Sequence, residues 1–240
     1  MRFHNFILSV IAASTFHCGL ANSQNFEAPK FDVGDKWTYS YRNIGDRKDP
    51  YTYTHQVFKA DADSGWLYAE SQASNPNRRS WISRFDFKRG GIKESFEYNP
   101  QTPGNPNPIQ PGNRYKETLS VDDEIQYPLF VGKKYKLEMP AVNGGSSYQY
   151  TVMVDAFEKV TTPAGQFDVY KLTFEGYWNR LDGIQSYNGS TTRVSWVAPN
   201  VKRIVRTEYQ DRTNRNRLFN QWVEELVKWE PKATVPPGIK

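Results

Sequence analysis

The sequence predicts an all-β protein: an antiparallel meander in which two pseudo-repeated β units form one clam-like sandwich or half-barrel. Three observations carry this. Thirty-six aromatic residues (7 Trp, 15 Tyr and 14 Phe) stand against 3 Met, and flat rings suit a pleated surface. Short runs alternate ring or aliphatic with polar residues, the period of a half-buried strand. Turn signals recur about every 8–15 residues, with no convincing helical period between them.

The strands follow in order. Residues 37–41 alternate ring and hydroxyl, and 52–58 are β-branched and aromatic. Asp61-Ala62-Asp63-Ser64-Gly65 turns the chain into a strand that starts at 66–69. Residues 81–87 alternate again, Arg89-Gly90-Gly91 turns, and 92–98 run back. Further strands are expected over 134–139, 148–160, 167–177, 191–197, 201–209 and 218–229. Their turns are expected at Asn143-Gly144-Gly145, Pro163-Ala164-Gly165, Asn188-Gly189 and Pro199-Asn200. Over 222–227 a helix competes, and strand is the expectation.

Segment 99–113 stands apart. Pro100, Pro103, Pro106, Pro108 and Pro111 are five of the 15 prolines. Proline offers a ladder no N–H, so this is an extended stretch. It reads as a connector between halves, or alternatively as a lid or a ligand for a proline-binding partner.

The two sides of that connector resemble each other. Val33-Gly34-Asp35-Lys36-Trp37 recurs as Val131-Gly132-Lys133-Lys134-Tyr135. Tyr51-Thr52-Tyr53-Thr54-His55-Gln56-Val57 recurs as Tyr148-Gln149-Tyr150-Thr151-Val152-Met153-Val154, identical at four of seven positions. Pseudo-repeats at about 31–98 and 129–209 are therefore expected within a single domain, 24–240, closed by a C-terminal strand at 218–229. A crevice between two curved units is a natural ligand site.

The N-terminus reads as an address. Arg2 precedes the apolar run 6–13, and Ala21-Asn22-Ser23 offers small residues for cleavage, so 1–23 is expected to be a signal peptide. The destination is a bacterial periplasm or the exterior. Thr15 and His17 around Cys18 make a poor lipobox, so no lipid anchor is expected. Cleavage removes the only Cys. The mature chain then has no disulfide and no thiolate, and no membrane-spanning segment is expected in it.

Without Arg2, 30 basic residues face 26 acidic ones, a balance of +4. That is no nucleic-acid profile. The densest basic stretch, Lys202 to Arg217, is broken by Glu208 and Asp211. It reads as a solvated strand face, or alternatively as a contact for anionic headgroups or acidic envelope polymers.

Little catalytic chemistry is available. His55 is the one mature histidine, and its repeat partner is Val152, so a structural strand position is expected. A multi-histidine zinc site is impossible, and no G-x-S-x-G elbow, phosphate-binding loop or dinucleotide fingerprint occurs. Asp61-x-Asp63-x-Gly65 hints at a calcium loop, but Gln72 stands where the closing Glu is needed. Asp122-Asp123-Glu124 reads as loop.

The openings Val33-Gly34-x-x-Trp37 and Val131-Gly132-x-x-Tyr135, with the segment 163–171, resemble bacterial exported β-proteins of unknown function. Such proteins are similar in architecture to lipoprotein-carrier (Lol-type) half-barrels. The resemblance implies apolar ligand binding by analogy and transfers no catalytic residue.

The expected function is that of an exported, non-catalytic protein binding an apolar small molecule or a cell-envelope component, with no cofactor and no metal. Trp37, Tyr39, Tyr41, Trp81, Tyr148, Tyr150 and Trp196 are expected to include the rings facing the cleft. The alternative is a hydrolase of an envelope or extracellular polymer, built on two facing carboxylates.

Overall fold

The computed structural model describes residues 25–45, 50–71, 80–87, 91–98, 114–115, 125–139, 146–182 and 185–232. Among them the regular elements are all strands: β1 Lys36–Asn43, β2 Tyr51–Ala60, β3 Ser64–Ser71, β4 Ser80–Asp86, β5 Gly91–Tyr98 and β6 Arg114–Tyr115 in the first half. The second half holds β7 Lys134–Met139, β8 Ser146–Thr162, β9 Gly165–Asp182, β10 Gln185–Ala198, β11 Arg203–Thr213 and β12 Leu218–Glu230. No helix among the described residues is long and apolar enough to cross a membrane.

All twelve strands share one antiparallel sheet, ordered β6-β5-β4-β3-β2-β1-β12-β11-β10-β9-β8-β7. The chain starts at the centre and steps outward to β6. It resumes at the far edge with β7 and steps back until β12 pairs with β1. Residues 222–227 lie inside β12, so β pairing on both sides prevails over the helical period there.

One expected turn is corrected. Asn188-Gly189 lies inside β10, which starts at Gln185, while β9 runs to Asp182. Gly189 is there for room: a Cβ would come within 1.8 Å of the Arg212 carbonyl oxygen and 2.8 Å of Trp178 Nε1. An Asn-Gly pair forms a hairpin turn only where both residues can take positive φ, and strands on both sides leave it extended. The expected signal peptide 1–23, the expected connector 99–113, Asn143-Gly144-Gly145 and Asp122-Asp123-Glu124 lie outside the described residues.

The halves carry matching local geometry. Gly34 (φ 99°) and Gly132 (φ 89°) precede β1 and β7. Each donates its N–H over 2.8 Å, Gly34 to Val57 and Gly132 to Val154. In return Val57 donates to Asp35 and Val154 to Lys133, both at 2.9 Å. Trp37 pairs with His55 as Tyr135 pairs with Val152. The ladder slips after Val57 in β2 and after Val154 in β8.

Two core clusters result. One gathers Trp37, Tyr39, Val57 and Leu226 with Phe31, Phe85, Phe167 and Trp196. The other gathers Tyr150, Val152, Val154, Leu172 and Phe174, with Leu129 and Ile125 packed against them. Burial at 150, 152 and 154 follows the two-residue strand period. Fully burying each such side chain contributes roughly 1.5–3 kcal/mol.

Candidate functional site

The structure places the seven expected rings as follows. Trp37 and Tyr39, on β1, are core residues. Trp37 Nε1 donates to the Val201 carbonyl and the Tyr39 hydroxyl to the Ile204 carbonyl, both at 2.9 Å. Those bonds tie β1 to the β10–β11 turn and to the start of β11 and satisfy two buried donors. Tyr41 is half-buried, between Tyr51 (5.0 Å between centroids) and Trp222 (5.4 Å). Trp196 donates to Glu158 at 2.9 Å, and the Arg206 guanidinium lies 5.6 Å from its ring.

On β8, half-buried Tyr148 stacks on buried Tyr150 at 5.8 Å and 3°. Buried Arg193 lies 3.7 Å from the Phe174 ring centre and 5.7 Å from that of Tyr150. Burial lowers its pKa to about 9, the rings taking the place of water around the charge. Trp81 lies on β4, with its side chain outside the described residues. Trp37, Tyr39 and Trp196 join one cluster, and Tyr148 and Tyr150 the other.

The carboxylates with defined partners are mostly engaged in holding the fold. Buried Asp35 accepts from the Asp32 and Lys232 amides and from Lys202, each at 3.0 Å. Asp61 accepts from the amides of Asp63 (2.9 Å) and Ser64 (2.7 Å), which closes its own turn and accounts for the acidic spacing there. Glu224 accepts from Tyr53, and Asp155 from Thr173. Arg206 bridges Glu208 and Glu225. Among the described residues no cluster of three metal-ligating side chains occurs.

Two further groups are shifted by burial. Burial, with Arg203 nearby, holds the His55 pKa well below its usual value, so the ring is neutral at neutral pH. Asp211 is buried and accepts from the Tyr209 hydroxyl at 2.7 Å; burial raises its pKa.

Among the described residues, grooves open on the sheet. The larger, about 560 Å³, spans β8, β9 and β10 and reaches Thr213 at the end of β11 and Asn214 and Asn216 beyond it. Cross-strand pairing places Ser147, Asn179 and Asn188 in one row, and Gln149, Tyr177 and Ser190 in the next. Direct partners in an antiparallel ladder share a face, so these six side chains form one platform. Tyr177 is 72% exposed at its centre. Trp178, on the opposite face, is 4% exposed and stacks on Phe219 at 5.3 Å. Its Nε1 has no acceptor and lies against Gly189.

The smaller groove, about 390 Å³, crosses the junction of the halves from Thr192 and Val194 to Arg42 and Ile44. Neither groove is lined by the seven expected rings. The platform residues escape sequence reading because three strands must be aligned before they meet.

No family model matches the sequence, and no curated protein matches it. Two solved structures are similar. One is a candidate lipoprotein of Parabacteroides distasonis ATCC 8503, 16% identical, covering 87% of this chain and 100% of that one, with a TM-score of 0.45. The other is a candidate exported protein with a YmcC-like fold from Bacteroides fragilis NCTC 9343, 19% identical, covering 86% and 100%, with a TM-score of 0.43.

Proposed function

We propose that the chain is an exported, non-catalytic binding protein built from a duplicated β unit. The leader 1–23 is cut off after Ser23, and residues 24–240 form the working domain without a lipid. The matching Gly34–Val57 and Gly132–Val154 bonds, the matching β slips and the offset pairing support duplication. The ligand is an apolar small molecule or an envelope component. The carrying observation is the open groove around Tyr177, whose lining holds no charged side chain. Of the expected rings with described side chains, Tyr41 and Tyr148 are the half-buried ones, which a ligand reaches without opening the core. The analogy to lipoprotein carriers supports the apolar arm of this reading.

Native mass spectrometry of the protein taken from its own envelope tests it. A co-purifying small molecule is the expected result. A bare protein that turns over envelope polymers would overturn the reading.

A second reading, a carboxylate-dependent hydrolase, draws on Asp211. A buried carboxyl with a raised pKa, bonded to a tyrosine, has the character of a general acid. It requires that Asp211→Asn abolish hydrolysis of an envelope polymer.

A further inference from the structure

We propose that the β8–β9–β10 groove is a binding site for a neutral oligosaccharide, with the Tyr177 ring as its stacking surface. This rests on the reading of the chain as a binding protein and names the ligand class for one site.

The chemistry of the lining selects the ligand. A sugar presents hydroxyls that both donate and accept, beside flat patches of C–H. Asn188 and Gln149 each offer amide donors and an acceptor and Ser190 a hydroxyl, while Asn179, whose side-chain oxygen accepts from Ser186 at 3.2 Å, offers its amide donors, and Ser147, which donates to the Asn179 carbonyl at 3.3 Å, offers its oxygen as an acceptor. The platform thus matches hydroxyls of either polarity. Tyr177, between Gln149 and Ser190 in its row, is 72% exposed, and a ring so exposed contributes little to the fold. An aromatic ring loses little rotamer freedom when a ligand lies on it.

Size and charge narrow the class. About 560 Å³ is a normal small-ligand volume and accommodates a short oligosaccharide rather than a single ion. Arg212 continues the Gln149–Tyr177–Ser190 row, but its guanidinium donates to the Asn216 carbonyl at 3.2 Å and does not line the groove. A neutral glycan therefore fits better than an acidic one. Trp178 and Gly189 also line the groove, with the Trp178 ring itself turned to the opposite face of the sheet.

The test is isothermal titration calorimetry on the full mature chain, wild type and Tyr177→Ala. The probes are chitotetraose, cellotetraose and maltotetraose, with tetragalacturonate as the acidic control and oleate and phosphatidylglycerol as apolar controls. The expected result is binding of at least one neutral tetrasaccharide, weakened tenfold or more in Tyr177→Ala at unchanged melting temperature. A second variant, Asn188→Ala, should weaken the same ligand several-fold. Binding of oleate or lipid alone would overturn the glycan assignment and leave the binding-protein reading standing. A preference for tetragalacturonate would overturn the neutral class. Glycan binding unaffected by either substitution would overturn the site, and no binding to any probe would overturn site and function together.

Discussion

Gly34 donates its backbone N–H to the carbonyl of Val57 at 2.8 Å, and the bond exists because Gly34 holds φ at 99°. Gly132 repeats the arrangement with Val154 at φ 89°. A side chain at such φ is strained whatever the space around it. Nothing lies within 4 Å of the position a Cβ would take on Gly132. Gly132→Ala therefore isolates backbone strain, and it should cost about 1–2 kcal/mol in urea unfolding. A cost below about 0.5 kcal/mol would contradict the shared-turn account.

Gly189→Ala tests a different limit. A Cβ there meets the Arg212 carbonyl at 1.8 Å and Trp178 Nε1 at 2.8 Å. Backbone on one side and a buried ring on the other cannot both yield. The variant should lose about 3 kcal/mol or more, or fail to accumulate folded. Wild-type unfolding would show that β10 is not paired as described.

His55 supplies a pH test. Its folded pKa lies below its ordinary value, so its neutral form is favoured in the fold. The associated stability is complete above about pH 6.5 and is lost as pH falls toward the depressed folded value. The groups facing it are Arg203, Tyr39 and Tyr53. Relative to His55→Leu, the wild type should lose stability between pH 7 and pH 5, by at most about 1.4 kcal/mol per pH unit. Parallel unfolding curves across that window would contradict a buried neutral ring. Ligand binding should stay within about tenfold of wild type, because the equivalent position is Val152.

Asp211 titrates with the opposite sign. Its folded pKa is raised, so its contribution is complete below the ordinary carboxylate value and is lost as pH rises through the folded value. Asn keeps an acceptor for the Tyr209 hydroxyl and does not ionise. Asp211→Asn should therefore gain stability over wild type as pH goes from about 4 to 7. A gap that stays constant across that range would sink the claim.

Export is tested by intact mass. The mature chain should begin at Gln24 and carry no added acyl mass. A chain starting at a diacylated Cys18 would replace the free protein with an anchored one.

Much of the fold is legible locally, because strand alternation is a two-residue property. Residues 37–41 and 148–154 announce their strands, and the shared Val-Gly openings mark where β1 and β7 begin. What fails is anything needing alignment across strands. Asn188-Gly189 reads as a turn until Trp178 and Arg212 are seen beside it. Trp37 and Tyr39 read as candidates for a cleft until Val201 in the β10–β11 turn and Ile204 in β11 supply carbonyls for their polar atoms. The Tyr177 platform shows the same limit: its six side chains come from three strands, and no sequence window contains them.

The central claim is ligand binding without catalysis. Intrinsic tryptophan fluorescence of the mature protein, titrated with a long-chain fatty acid, a phospholipid and envelope oligosaccharides, tests it most directly. The account predicts a saturable change with at least one of them and no consumption of that ligand over the titration. Flat responses to all three classes, or steady conversion of the bound one, would contradict it.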